Sequence, residues 1–179
     1  MNTFQEKLRL AVRDIPDFPK PGIIFKDITP ILKDAELCSG VVDEFIKKIE
    51  DGKTTKVDAI VGTESRGFFF GFLLANKMGI PFIPLRKPGK LPYKTISHEY
   101  ELEYGKAKVE MHADALQKDW NVLIHDDLLA TGGTAEASAI LVQMQGAKVA
   151  GFAFVVEVDL KGREKLKQYS ENVISLIKC

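Results

Sequence analysis

Cysteine is scarce in this chain: Cys38 and Cys179 are the only two among 179 residues. Two thiols so far apart make neither a disulfide framework nor a zinc-ligand spacing, and a reducing compartment is expected. An excess of charge is also missing, since 25 basic side chains balance 25 acidic ones. General nucleic-acid binding needs a net basic surface, so no nucleic-acid partner is expected, although a local basic pocket for a small anion stays open. Long apolar runs are absent too. The longest, from Gly67 to Ala75, falls far short of the roughly 20 residues that cross a bilayer. The first residues, Met1 to Lys7, carry no apolar signal core. No membrane partner is therefore expected, and the expected location is the cytoplasm. Two nucleotide-binding signatures fail as well. Gly62 and Gly67 have the separation of a P-loop, but Phe68 and Phe69 stand where Lys and Ser/Thr are required, and no G-x-G-x-x-G occurs. There is no internal repeat, low-complexity tract or linker.

What is present suits one compact domain. The hydrophobic fraction is 45%, enough for a real core at this length. Thr3 and Glu6 form a capping box ahead of Phe4, Leu8, Ala11, Val12 and Ile15, which predicts a short amphipathic helix. The prolines at 19 and 21 forbid helix over Asp17 to Gly22, and Ile23 to Phe25 follows as an extended piece. Leu37, Val41, Phe45 and Ile49 predict a helix from Ala35 to Ile49, and Phe68 to Met78 reads as another. Short strands are expected at Val57 to Val61, Pro81 to Arg86, Asn121 to His125, Lys148 to Val158 and Asn172 to Ile177, with a loop from Lys87 to Tyr93. Ala107, Val109 and Met111 alternate with charged residues, so this half-exposed strand pairs with the Tyr100 to Tyr104 region as a hairpin or flap. Ala137, Ile140, Leu141 and Met144 mark a further helix, and the charges at Arg163 to Lys165 read as a solvated helix face. Strand and helix alternate through the middle of the chain. The fold class is therefore α/β, with a central, mainly parallel sheet flanked by helices.

The most informative stretch runs from Val122 through Asp126 and Asp127 to Ala130-Thr131-Gly132-Gly133-Thr134. A strand leads to two carboxylates, then a small-residue loop, then a helix. Helix N-termini expose unpaired N–H groups and partial positive charge. Gly132 and Gly133 let the backbone curl so that several N–H groups meet one anion, and Thr131 and Thr134 add hydroxyl donors. A phosphate monoester fits such a nest. Beside it, Asp126 and Asp127 would repel a phosphate, but they suit hydroxyl groups or a developing cation. A ribose 5-phosphate satisfies both ends. Open α/β sheets also bind ligands at strand carboxyl ends.

These residues resemble the phosphoribosyl pyrophosphate signature of type I phosphoribosyltransferases. In that family the acidic pair contacts the ribose hydroxyls and the Thr-Gly-Gly-Thr loop holds the 5-phosphate. His125 departs from the usual aliphatic residue; it could line the site, but the preferred reading is a strand-end histidine with a structural hydrogen bond. Further segments resemble the adenine phosphoribosyltransferases in matching order. The run Phe18 to Pro30 resembles a hood over the base, with backbone groups near Ile24, Phe25 and Lys26 reading the adenine edge; arginine is frequent at the Lys26 position. Glu64-Ser65-Arg66-Gly67 resembles the pyrophosphate cradle, which implies a non-proline cis bond at Glu64-Ser65 and ligand roles for Ser65 and Arg66. In Arg86-Lys87-Pro88-Gly89-Lys90, the cations Arg86, Lys87 and Lys90 are implied pyrophosphate ligands. The family is dimeric, which implies a homodimer with Arg86 reaching the neighbouring site. Tyr100 to Gly105 resembles the catalytic loop, with Glu103 as catalytic carboxylate and Tyr104 covering the sugar. Val158 would pack on the adenine ring.

The resemblance implies one type I phosphoribosyltransferase domain over 1–179, with an N-terminal helix and base-binding hood over 1–33 and a flexible catalytic hairpin over 93–111. It implies adenine and phosphoribosyl pyrophosphate as small-molecule substrates. Mg2+ is the implied cofactor, bound through substrate oxygens and water with no direct protein ligand. Two rivals stay open. Enzymes for oxopurines usually present a lysine from a late strand, and Phe152 to Val156 offers none. A ligand-sensing regulator would add a DNA-binding domain or a basic surface, for which this chain has neither room nor charge.

Overall fold

The computed structural model describes residues 3–52, 56–102 and 105–179. Helix α1 (Phe4–Ala11) begins at Thr3, whose hydroxyl accepts from the Glu6 N–H while the Glu6 carboxylate accepts from the Thr3 N–H. This is the expected capping box, and the single buried side chain of the helix is Leu8. The helix ends sooner than the apolar spacing suggests. Val12 turns extended, and Ile15 lies in strand β1 (Arg13–Pro16), paired antiparallel with β2 (Ile24–Asp27). A partner strand thus overrides the local period, and Asp14 opposite Lys26 adds an ion pair across the ribbon.

A short α2 (Thr29–Lys33), which the periodicity does not reveal, leads to α3 (Ala35–Asp51), capped by the Asp34 carboxylate on the N–H groups of Glu36 and Leu37. Then come β3 (Ala59–Thr63), α4 (Gly67–Met78), β4 (Phe82–Leu85), the hairpin β5 (Thr95–Leu102) and β6 (Gly105–His112), β7 (Asn121–Leu129), α5 (Gly133–Met144), β8 (Lys148–Glu157), α6 (Gly162–Leu166) and β9 (Val173–Lys178).

Five strands form one wholly parallel sheet in the order β4-β3-β7-β8-β9. Two apolar layers cover it. Leu8, Ile31, Val41, Phe45, Phe70 and Leu74 pack on one face. Ala137, Leu141 and Val142 of α5, together with Val109 and Met111 of the hairpin, pack on the other. Strand β3 leaves toward α4 on the first face, whereas β7 leaves toward α5 on the second. The winding of the sheet reverses between these neighbouring parallel strands, and the crevice so opened at their carboxyl ends is where open α/β sheets bind ligands. No helix among the described residues is long and apolar enough to cross a membrane.

Candidate active site

Strand β7 extends beyond His125 and carries both carboxylates within it before ending at Leu129. Asp126 and Asp127 therefore sit within a strand of the sheet and not on a free loop, with Asp126 opposite Phe154. Burial and the charge of Asp127 push the Asp126 carboxyl well above its ordinary range. Burial raises Asp127 as well, opposed by the Arg66 guanidinium. Arg66 Nη1 stands 3.1 Å from Asp127 Oδ2, an ion-pair separation, yet that oxygen is buried without a well-directed hydrogen bond. Two crowded carboxylates with unspent acceptor capacity suit vicinal hydroxyl donors.

The loop after β7 turns through Gly132, whose φ of 78° lies in the left-handed region that glycine tolerates best. No side chain caps α5 there, so its first N–H groups face an open cleft of about 270 Å³. Asp126, Asp127, Ala130, Thr131, Gly132, Gly133, Thr134 and Arg66 all line it. The turn is shaped from outside by Gly162. A β-carbon at Gly162 would collide with the Ala130 carbonyl oxygen and lie 2.9 Å from Leu129 Cδ1.

Gly162 is fixed in turn by its neighbour Arg163, which corrects the expected solvated face. Arg163 donates from Nε to Glu157 Oε1 at 2.9 Å and from Nη1 to the Val173 carbonyl, and it also reaches Ser175. Hydrogen bonds from Arg163, opposed by burial and aided by Ser175, pull the Glu157 carboxyl down to about 2. Lys165 pairs with Glu136 of α5. Arg163 thus ties α6 to β8 and β9, while Glu164 and Lys165 stay exposed as the solvated-face reading expects.

A second cleft, about 190 Å³, adjoins the first and is lined by Thr63, Glu64, Arg66, Lys87, Tyr100, Val109, Asp126, Asp127 and Thr134. The peptide Glu64-Ser65 is cis, as the resemblance implies, and Arg66 immediately precedes α4. Glu64 organises the basic loop: its Oε2 accepts from Arg86 Nε at 3.2 Å and from the Lys87 N–H at 2.9 Å. Burial opposes ionisation of Glu64, but the Lys87 N–H and Arg86 outweigh it and hold the carboxyl below its ordinary range. Glu110 accepts from the Gly89 N–H on the other side of the loop. Lys87 lines the cleft, whereas Lys90 contributes its carbonyl to Arg86 and lines neither cleft. Ser65 is exposed beside the cleft.

The hood meets the cleft through Arg66. Its guanidinium lies 4.5 Å from the Phe25 ring centre and donates to the Lys26 carbonyl. The Lys26 ammonium turns away, bonded to both Asp14 oxygens at 2.7 and 2.8 Å. Ile24 is exposed, and Phe18 packs edge-on against Phe25. Val158 donates its N–H to the Leu129 carbonyl, which places it at the same end of the sheet. Glu103 and Tyr104 lie outside the described residues.

His125 is structural, as the preferred reading has it, but without the expected hydrogen bond and within the strand instead of at its end. It is fully buried, edge-on to Phe45 at 5.3 Å, and neither ring nitrogen makes a well-formed hydrogen bond. Burial lowers it to about 4, with only slight opposition from the Ala153 backbone. It belongs to the core and not to the cleft. Conversely, sequence reasoning assigned no role to Glu64, Tyr100 or Gly162. The first two stand inside recognised segments, but no spacing rule marks Gly162.

A phosphoribosyl transferase domain model matches residues 31–178 of the chain. The chain is 48% identical to the adenine phosphoribosyltransferase of Cytophaga hutchinsonii over 174 residues, which is 97% of this chain and 94% of that protein. Among solved structures, the adenine phosphoribosyltransferase of Thermoanaerobacter pseudethanolicus superposes with a TM-score of 0.93 at 49% identity, covering 98% of this chain and 99% of that one. The Saccharomyces cerevisiae enzyme, complexed with D-2,5-dideoxy-2,5-imino-altritol 1,6-bisphosphate and adenine, gives 0.90 at 41% identity, covering 97% and 98%.

Proposed function

The chain belongs to the phosphoribosyltransferase family, in its adenine phosphoribosyltransferase branch, and from that premise we propose how its residues share the work. The reaction joins adenine to 5-phosphoribosyl 1-pyrophosphate and gives AMP and pyrophosphate, a purine-salvage step. One observation carries the assignment of roles: two carboxylates of β7 and the uncapped start of α5 line a single cleft at the sheet's switch point. The 5-phosphate takes the N–H groups and hydroxyls of Ala130 to Thr134. Asp126 and Asp127 accept from the ribose hydroxyls.

The leaving pyrophosphate takes the adjoining cleft, beside Ser65, Arg66 and Lys87, with Arg86 and Lys90 on the same loop. These cations offset charge as the bond to C1 breaks and N9 of adenine attacks the opposite face. The sugar then carries partial positive charge, and the two aspartates stand ready to stabilise it. Backbone groups at Ile24 and Lys26 read the adenine edge, with Phe25 and Val158 on its faces. On the resemblance alone, Glu103 assists proton movement at adenine and Tyr104 covers the sugar.

Magnesium is part of this reading. Among the described residues no three His, Cys, Asp or Glu side chains converge on a metal position. Asp126 and Asp127 nonetheless line the cleft, and hard carboxylate oxygens suit an ion held mostly by substrate oxygens and water. Such an ion would neutralise pyrophosphate charge.

A homodimer is supported by α4, which exposes Phe69, Phe72 and Leu73 at 45%, 57% and 42%. Of these, Phe72 meets Phe82 of the edge strand that leads to Arg86, and exposed large apolar side chains on one helix favour a partner. In the dimer, Arg86 reaches the neighbouring site. A cytoplasmic setting suits the free thiols Cys38 and Cys179.

The test is a panel of five purine and pyrimidine bases with phosphoribosyl pyrophosphate and magnesium, read as pyrophosphate release. Turnover with adenine alone is expected. Faster turnover with hypoxanthine or guanine would overturn the base assignment.

A further inference from the structure

The Tyr100 hydroxyl lies 3.1 Å from the Thr134 hydroxyl. Thr134 opens α5 and belongs to the phosphate loop, while Tyr100 comes from β5, which packs across α5 on the same face of the sheet. Tyr100 is also half-buried and lines the cleft shared by Thr63, Arg66 and Thr134. In register it opposes Ala107, two pairs before the closing pair Leu102 and Gly105. Of the hydrogen bonds between hairpin side chains and the phosphate loop among the described residues, this is the one the structure contains.

We propose that Tyr100 is a positioning residue for the 5-phosphate, acting through Thr134. A hydroxyl has one proton to donate and two lone pairs to receive. When Tyr100 donates to Thr134 Oγ1, the threonine proton is released from any duty to the tyrosine and points into the cleft. The chain of donors runs from Tyr100 to Thr134 to a phosphate oxygen, and each link polarises the next. The alternative direction, with Thr134 donating to Tyr100, would remove that donor from the loop. An anion in the nest selects the first direction, because the phosphate can only accept. The same bond joins the hairpin to the loop that opens α5.

This inference rests on the reading of Ala130 to Thr134 as the phosphate nest, and the test keeps the two apart. Phosphoribosyl pyrophosphate and AMP both carry the 5-phosphate, whereas pyrophosphate and adenine do not. Dissociation constants of all four, measured by calorimetry with magnesium present, are compared for the native protein, Tyr100→Phe, Thr134→Val and the double variant. Thr134→Val should weaken phosphoribosyl pyrophosphate and AMP, which tests the nest itself. Tyr100→Phe should weaken the same two by about five- to tenfold, with pyrophosphate and adenine unchanged. In the Thr134→Val background, Tyr100→Phe should have no further effect. A loss spread equally over all four ligands would reduce Tyr100 to a packing role. A loss for pyrophosphate but not AMP, an equal effect in both backgrounds, or no loss at all would likewise overturn the proposal. If Thr134→Val leaves phosphoribosyl pyrophosphate and AMP untouched, the nest assignment fails instead.

Discussion

The Arg66 guanidinium lies 4.5 Å from the centre of the Phe25 ring while one of its nitrogens stands 3.1 Å from Asp127. One side chain therefore joins the hood, the carboxylate pair and the cleft beside Glu64 and Lys87. Its charge is what opposes the burial-driven rise of Asp127.

Replacing it makes a prediction about pH. In Arg66→Met the opposing charge is gone, so the protonated form of Asp127 should persist to higher pH. If ionised Asp127 is needed to accept from ribose hydroxyls, activity appears as pH rises through that carboxyl's titration. The acid limb of kcat/KM for phosphoribosyl pyrophosphate should therefore move to higher pH, and the plateau should fall by about 10²-fold. Steady-state rates from pH 5 to 9 decide it. An unmoved acid limb would detach Arg66 from the titration of the pair.

Gly162 sets the outer wall of the turn from Ala130 to Gly132. In Gly162→Ala the new methyl group would meet the Ala130 carbonyl oxygen and the Gly132 nitrogen, and neither backbone can yield without moving the turn. Loss of about 1–3 kcal/mol of stability is expected from such overpacking, with a raised KM for phosphoribosyl pyrophosphate. Chemical denaturation and initial-rate kinetics measure the two effects. Native stability together with native KM would mean that the contact carries no constraint.

His125 offers a test in the core. Its folded pKa of about 4 lies below the ordinary 6.5, so the unfolded chain takes up a proton that the folded one refuses. Stability is therefore lost as pH falls from 6.5 toward 4, by about 2 kcal/mol at pH 5 from this residue. In His125→Val that component disappears. The native protein should lose more stability between pH 7 and pH 5 than the variant, as measured by urea denaturation at each pH. Parallel losses would mean that His125 is protonated inside the fold.

Much of the active-site cleft was legible in the sequence because its parts are local. A strand, two aspartates and Thr-Gly-Gly-Thr are consecutive, and the helix N-terminus that follows has the same physics wherever it sits. The Glu64-Ser65-Arg66 turn and the Arg86 to Lys90 loop stood out only through the family resemblance, since three cations in five residues otherwise read as a solvated loop. Less was legible where a distant partner decides the outcome. Ile15 left its helix because β2 pairs with β1, and Arg163 left the solvent because Glu157 and Val173 await it.

The sequence by itself determined the alternating α/β order, the glycine turn that opens α5 and the capping of the first helix, since each depends on residues within a few positions of one another. Only the tertiary structure decided that Arg66 stacks on Phe25, that Gly162 walls the turn from Ala130 to Gly132, that Tyr100 meets Thr134 and that His125 is sealed against Phe45. Those relationships join residues from separate elements, and periodicity carries no information about which faces will meet. They are set when two apolar layers close over a shared sheet and fix what stands at its carboxyl edge.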